Sequence, residues 1–275
     1  KEQPLRESRR FTALSRSLNA IIMATPTVHS HTLALPKAGG EPGAYEDAAR
    51  VRAEAWPVRA AVADGATESV FAGMWAEMLV RAGTRGALTT ARLREGLPDW
   101  QRAWAARCDA QAAAAPWYVQ AKANEGAFAT LLGLEVCADG CWRAAVVGDC
   151  VLFHLRDGAL RASWPAHSPD AFGNHPALVP SRASADASGM EKLRTTTGAW
   201  TPGDVFLLAT DAVGAGLLRG AQSPEGPFRP TAAAHWSAAA FRDAVATARA
   251  EGTLRNDDST LLVLELSSLP ASPSH

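Results

Sequence analysis

Arg59-Ala60-Ala61-Val62-Ala63-Asp64 is followed at once by Gly65-Ala66-Thr67. A short apolar run ending in an aspartate and a glycine is the pattern of a core strand that delivers a carboxylate to its mouth. The pattern recurs along the chain. Val146-Val147-Gly148-Asp149 closes a second apolar run, and Phe206-Leu207-Leu208-Ala209-Thr210-Asp211 closes a third. Asp257-Asp258-Ser259-Thr260 reverses the order and opens the run from Leu261 to Leu266. One such aspartate is most simply a turn or cap residue. Four in the same relation to apolar runs point to a common site.

Working outward from this stretch, residues 48–53 read as a strand that turns at Pro57 and pairs antiparallel with the run ending at Asp64. Val70, Phe71, Met74, Trp75, Met78 and Leu79 then fall on one helical face, with Thr67 or Ser69 placed to cap its start. Residues 98–124 are again helical and alanine-rich, with a break at Pro116, and Trp100, Trp104 and Trp117 are expected to anchor them on a sheet. After Gly126 the pattern changes to strands over 128–136, 142–147 and 151–155, and Asp157-Gly158 marks a hairpin before 159–162. Residues 164–200 carry prolines, glycines and serines and read as a long surface excursion. Order returns with a strand over 205–210, a glycine-containing turn, a helix over 237–250 and a last strand over 260–266. Strands in hairpins and helices in blocks indicate an α+β chain with antiparallel sheets. None of the glycine-rich loops has P-loop or dinucleotide-binding spacing.

Composition narrows the function classes. A formal net charge of −1 excludes a basic nucleic-acid groove, and no apolar run is long enough to span a membrane. Residues 1–27 stand apart as a basic, amphipathic extension. Arg6, Arg9, Arg10 and Arg16 outweigh Glu2 and Glu7, while Phe11, Leu14, Leu18, Ile21 and Ile22 repeat at roughly helical spacing. The segment reads as a targeting or membrane-surface helix, a docking helix, or an extension upstream of a start at Met23. A chain that opens on Lys1 is expected to be a fragment or a processed product. Residues 28–267 form the main domain, and 268–275 a flexible tail. His29 and His31 lie close together with no third ligand in sight. Cys137 and Cys141 flank a hairpin-like turn, Ala138-Asp139-Gly140, where a metal or a disulfide is conceivable. With no second pair at zinc spacing, these and Cys108 and Cys150 read as buried free thiols in a reducing, cytoplasmic setting.

Aspartates on neighbouring strand ends repel one another, and burial raises their pKa values unless a cation arrives. Oxygen-only donors favour Mg²⁺ or Mn²⁺ over zinc. Two such ions can activate a water and clamp a phosphoryl oxygen, so the residues themselves suggest metal-assisted phosphoester hydrolysis.

The same residues carry a resemblance. Glu46-Asp47, V-A-D-G at 62–65, G-A-F-A-T-L-L-G-L at 126–134, V-V-G-D-C at 146–150, L-L-A-T-D at 207–211 and N-D-D-S-T at 256–260 occur in order. The series resembles the metal-dependent serine/threonine protein phosphatases of type 2C, over residues 30–267. The resemblance implies two antiparallel β-sheets packed as a sandwich flanked by α-helices, in α-β-β-α layers. It implies that Asp64 bridges two Mg²⁺ or Mn²⁺ ions and that Asp64 and Asp211 act through a metal-activated water. The Gly65 carbonyl would hold one ion, Glu46 the second with Asp47 supporting its waters, and Asp211 and Asp257 would complete the first. Asp149 would serve a third ion with Asp211, and 164–200 would be a substrate-selecting flap.

This chain departs from the family pattern at Ala66-Thr67-Glu68, at Cys150 and at Ala212. The family's phosphate-binding arginine is replaced by Pro42, which leaves Lys37 or Arg50 as substitutes and His175 in the flap as a further substrate contact. His154 reads as a packed residue and not as a general acid. The implied activity is hydrolysis of phosphoserine and phosphothreonine in a protein, with a Ser/Thr kinase or its target as partner. The alternative is a catalytically weak or inactive regulatory module of the same fold.

Overall fold

A computed structural model of the chain describes residues 26–40, 44–67, 69–86, 88–173, 176–183, 191–223 and 226–268. The extension before residue 26, the tail beyond 268, Pro42, Glu68 and His175 lie outside the described residues. Twelve strands are described, and ten of them build two five-stranded antiparallel sheets. The first sheet runs β1 (Pro26–Leu35), β12 (Ser259–Ser268), β11 (Val205–Ala209), β7 (Val151–Arg156) and β8 (Ala159–Trp164). The second runs β10 (Arg194–Ala199), β6 (Cys141–Val147), β5 (Leu131–Val136), β3 (Val58–Ala63) and β2 (Ala48–Arg52). A short pair, β4 (Phe128–Ala129) with β9 (Val179–Pro180), forms a third sheet, bridged through Ala129 to Gly65 just beyond β3.

Both faces of each central strand are buried, which is why these strands read as unbroken apolar runs. Ala60 and Val62 of β3 face inward with Leu132, Leu134, Val146, Phe206, Leu208, Leu262 and Leu264, and this set joins the two sheets. Ala61 and Ala63 face the other way, against Trp75, Leu79 and Trp104. These belong to helices α1 (Ala72–Thr84) and α2 (Thr90–Ala112), which are followed by α3 (Trp117–Glu125). On the opposite flank, Leu207, Ala209, Phe153 and Val263 pack on Val213, Leu217, Phe241 and Val245. Those side chains come from α4 (Asp211–Ala221) and α6 (Ala238–Ala250), with the one-turn α5 (Pro230–Ala233) between them. The order of layers is helix, sheet, sheet, helix, as expected.

Several local expectations are corrected. α1 begins without a side-chain cap from Thr67 or Ser69: its N-cap is Phe71, held at φ 61°. Pro98 lies inside α2, whose start is capped by Thr89. Trp104 is fully buried, whereas Trp117 is 79% exposed and lies edge-on to its exposed neighbour Tyr118 instead of on a sheet. The segment 164–200 is not only surface, because β10 is an edge strand on β6 and Val179-Pro180 pairs with Phe128-Ala129. The Trp75 indole donates to the Val179 carbonyl at 2.8 Å and fixes that crossing to the core. The glycine-containing stretch after Asp211 is the helix α4, not a turn. β1 was not anticipated at all, and it pairs along its full length with β12.

One buried ionic knot ties the far end of the first sheet. The Asp204 side chain is fully buried and accepts from Arg156 at 2.7 Å through both oxygens, and from His154 Nε2 at 2.8 Å. Burial alone would raise its pKa, but the Arg156 and His154 bonds win and hold the carboxyl at about 2. His154 also stacks on Phe206 with centroids 4.5 Å apart, which agrees with a packed histidine. Asp204→Asn keeps the shape and removes the charge that the Arg156 guanidinium answers. Equilibrium urea unfolding of that variant is expected to show a loss of about 3 kcal/mol.

Candidate metal centre

Asp64, Gly65, Asp149, Asp211 and Asp257 line one cleft of about 670 Å³. Its walls include Phe128 and Thr130, Lys122 and Glu125 at the end of α3, Pro176 and Leu178 from the excursion, and Arg255. The topology explains the gathering. β3, β6 and β11 all end at the same edge of the sandwich, and β12 starts there. Asp64 follows β3, Asp149 sits in the turn between β6 and β7, Asp211 opens α4 and Asp257 precedes β12.

Two glycines let the backbone close around this edge. A Cβ on Gly65 would sit 2.8 Å from the Glu46 carbonyl and 3.0 Å from Ala72. Gly148 has φ +106°, and a Cβ there would come within 2.5 Å of Thr130. Thr130 in turn fixes Asp64. Its hydroxyl accepts from the Asp64 backbone N–H at 2.9 Å, and its own N–H donates to the Asp64 carbonyl at 2.8 Å. The Cys150 sulfur lies 3.1 Å from the same hydroxyl. Complete burial, then the nearby Asp64 charge, push the Cys150 thiol well above its usual range, so it remains a thiol and not a thiolate ligand.

The remaining acids hold the frame. Asp47 Oδ2 accepts from Thr210 Oγ1 at 2.9 Å and from Thr260 Oγ1 at 2.7 Å, and Tyr45 hydrogen-bonds the same Thr260 hydroxyl. Asp258, which sequence reasoning passed over although it doubles Asp257, accepts from the backbone N–H groups of Lys37 and Glu46 at 2.9 and 2.6 Å. Glu46 is half-buried and pairs with Lys37 at 3.2 Å. Glu46, Asp47, Lys37 and Arg50 are not among the residues lining the cleft, and Arg50 is exposed on β2. The cations in the cleft wall are Lys122 and Arg255. Arg255 reaches Asp211 at 3.0 Å and Asp257 at 3.5 Å; its position two residues before Asp257 was the available signal.

Four aspartates and Glu125 thus face two exposed cations. Burial, then Asp47, Asp211 and Asp149, raise Asp64 well above the carboxylate range. Burial and Asp211 raise Asp149 to about 6. Burial also raises Asp211 against the pull of Arg255. Burial raises Asp47 to about 7 despite its two threonine bonds. Asp149 Oδ1 is buried with no hydrogen-bond partner, and an acceptor so placed calls for a cation. The donors are hard oxygens, and the residues present fit Mg²⁺ or Mn²⁺. The carboxylates do not form a tight knot: among the described residues, the donor atoms that do crowd together belong to Cys137, Asp139 and Cys141.

The family model described as Protein phosphatase 2C matches residues 43–252. No protein of curated function matches the sequence. Among solved structures, the catalytic domain of the serine threonine protein phosphatase PstP with two manganese ions is similar at 17% identity and a TM-score of 0.55. That match covers 89% of this chain and 100% of the other. The Mycobacterium tuberculosis phosphatase PstP/Ppp is 18% identical, with 87% and 99% covered and a TM-score of 0.53. PppA, a regulatory component of T6SS in Pseudomonas aeruginosa, is 20% identical, with 87% and 98% covered and a TM-score of 0.51. At these identities the likeness is one of fold.

The raised carboxyls set a pH dependence. In the metal-free protein they keep protons that the unfolded chain releases near pH 4. Between about pH 4 and pH 7 the unfolded state therefore binds fewer protons, and stability falls as pH rises. Thermal unfolding in chelator is expected to give a lower Tm at pH 8 than at pH 5. Mn²⁺ is expected to restore the loss at pH 8, and Asp47→Asn to flatten the chelator profile.

Proposed function

The chain belongs to the protein phosphatase 2C family, and on that premise we propose that it hydrolyses phosphoserine and phosphothreonine in a protein partner, with Mg²⁺ or Mn²⁺ bound at the aspartate cleft. The observation that carries the reading is the convergence of Asp64, Asp149, Asp211 and Asp257 on one cleft, with a buried oxygen of Asp149 left unpartnered. The manganese pair of the solved PstP domain supports the same assignment.

Asp64, Asp211, Asp257, the Gly65 carbonyl and Glu46 would hold two ions, and Asp149 with Asp211 a third. Bound there, the ions supply an acidified water and neutralise phosphoryl oxygens. The residues of the chain do the rest. Thr130 keeps Asp64 at the mouth of β3. The Asp47 bonds to Thr210 and Thr260 hold the ends of β11 and β12 at a fixed spacing. Arg255, 57% exposed at its side chain, can leave Asp211 and Asp257 and turn its guanidinium to the substrate phosphate, the position that Lys37 and Arg50 do not occupy. The partner is a phosphorylated protein, a Ser/Thr kinase or that kinase's target, in the cytoplasm. Among the described residues no helix is long and apolar enough to cross a membrane.

One observation favours a second reading, a regulatory module of the same fold: Arg255 spans two of the aspartates. Hydrolysis of an aryl phosphate and a phosphothreonine peptide, with Mn²⁺, Mg²⁺ or chelator, separates the two. Under the phosphatase reading, turnover needs the metal and falls about 10²- to 10³-fold in Asp64→Asn and Asp211→Asn. Metal binding without turnover on either compound selects the module.

Arg255→Ala gives a finer test. It is expected to raise KM for the phosphopeptide about tenfold. Calorimetry of the same variant is expected to show tighter Mn²⁺ binding, because a competing cation has been removed.

A further inference from the structure

The hairpin joining β5 to β6 lies at the other end of β5 from Thr130, roughly 20 Å along the strand from the carboxylate cleft. Cys137 and Cys141 close its neck, and Asp139 sits in the loop between them. Neither cysteine is a buried thiol as the sequence suggested: Cys137 is half-buried and Cys141 exposed, while Cys108 and Cys150 are buried and all four are free.

The loop is built to hold a shape. Cys137 N–H donates to the Cys141 carbonyl at 2.9 Å, Gly140 turns the chain at φ +88°, and Cys141 N–H donates to Asp139 Oδ1 at 3.2 Å. From behind, Trp200 donates its indole N–H to the Cys137 carbonyl and its backbone N–H to the Gly140 carbonyl, each at 2.8 Å. Trp200 is itself buried and stacked on Trp56, with centroids 5.7 Å apart. On this fixed base, one sulfur of each cysteine and one oxygen of Asp139 lie within 4.8 Å of one another. Asp139, and then the Cys137 sulfur, push the Cys141 thiol above its ordinary range, so an incoming cation must displace its proton.

We propose that Cys137, Asp139 and Cys141 form a second metal site, for a thiophilic divalent cation of the zinc class, chemically distinct from the aspartate cleft. Zinc takes sulfur at about 2.3 Å and carboxylate oxygen at about 2.0–2.2 Å, so a tetrahedral ion needs these donors to close in by at most about 1 Å. Side-chain rotation supplies that movement without disturbing the hairpin backbone. Solvent at the exposed Cys141 side supplies the fourth ligand. Binding replaces the thiol protons of Cys137 and Cys141 by one divalent ion and releases both protons to water, with no change of oxidation state. Soft sulfur donors select this class, whereas the all-oxygen cleft selects Mg²⁺ or Mn²⁺. Arg143, two residues beyond Cys141 in β6, pairs with Glu135 at 2.8 Å, and Cys141 itself stays exposed.

Co²⁺ is the probe, added to the reduced full chain and followed by absorption. The site predicts a thiolate-to-cobalt charge-transfer band that saturates at one ion per chain and is displaced by Zn²⁺. Cobalt held by carboxylates alone gives no such band, so the readout is independent of the catalytic cleft and of phosphatase activity. The band is expected to be lost in Cys141→Ser, weakened in Asp139→Asn and unchanged in Cys108→Ser. These hairpin positions are solvent-facing, so far-UV circular dichroism should match the unaltered chain. No charge-transfer band with the reduced protein, or a band that survives Cys141→Ser, overturns the proposal. Cys137 and Cys141 cross-linked to each other, with no cobalt band after reduction, would assign the pair to a disulfide instead.

Discussion

More carboxylates than cations are gathered at one end of the sandwich, and they repel one another. That excess is the constraint on which the rest of the architecture depends. Like charges held near each other in partly buried surroundings cost several kcal/mol each unless protonated or answered by a cation. Burial first, and then the neighbouring carboxylates, raise Asp64, Asp149 and Asp211. A fold that places them together must be stable for other reasons. Here the stability resides in two apolar faces per central strand, one joining the sheets and one packed under helices. A single-faced sheet would offer about half that burial, and the edge carrying the acids would have less to hold it closed.

The aspartates divide into two physical kinds. Asp47, Asp204 and Asp258 spend their oxygens on hydrogen bonds from threonines, an arginine and a histidine, or backbone N–H groups. They fix the distances between segments that are far apart in sequence. Asp64, Asp149, Asp211 and Asp257 line open space. Asp149 is the plainest case, with a buried oxygen that nothing in the described chain satisfies. The first kind makes the second possible. Without Asp47 between Thr210 and Thr260, the ends of β11 and β12 would be free to shift, and Asp211 and Asp257 with them.

The four strand-end acids were legible because both faces of their strands are buried, so apolar runs stop sharply where the polar edge begins. Elements that obey other rules were not. α4 carries Gly214, Gly216 and Gly220, a turn-like composition, yet a Cβ on Gly216 would meet Phe228 at 2.8 Å and one on Gly220 the Phe228 carbonyl at 2.1 Å. Those glycines are packing contacts, which sequence cannot separate from turn signals. β10 reads Arg-Thr-Thr-Thr-Gly-Ala and β1 is largely exposed, so neither edge strand shows an apolar pattern. The tryptophans mislead for the converse reason: Trp104 fills the core, and Trp117 stands in solvent. In the site, Arg255 was visible as the cation beside Asp257, but its reach to Asp211 depends on how β11 and β12 are paired.

That reach shows how a metal-free cleft can stay folded and still remain open to an ion. A guanidinium exposed over half its side chain holds Asp211 and Asp257 through contacts that water and salt screen, and such pairs are worth roughly 0–1 kcal/mol. A buried cation in the same place would have been hard to displace. The weakness of Arg255 as a counter-ion is therefore consistent with a placeholder. It lowers the cost of keeping the acids together, and under the proposed function it would yield to a ligand that carries two charges and binds several oxygens at once. Having moved, it would still be tethered beside Asp257, at the rim of the same cleft, where the proposed phosphorylated substrate would meet it.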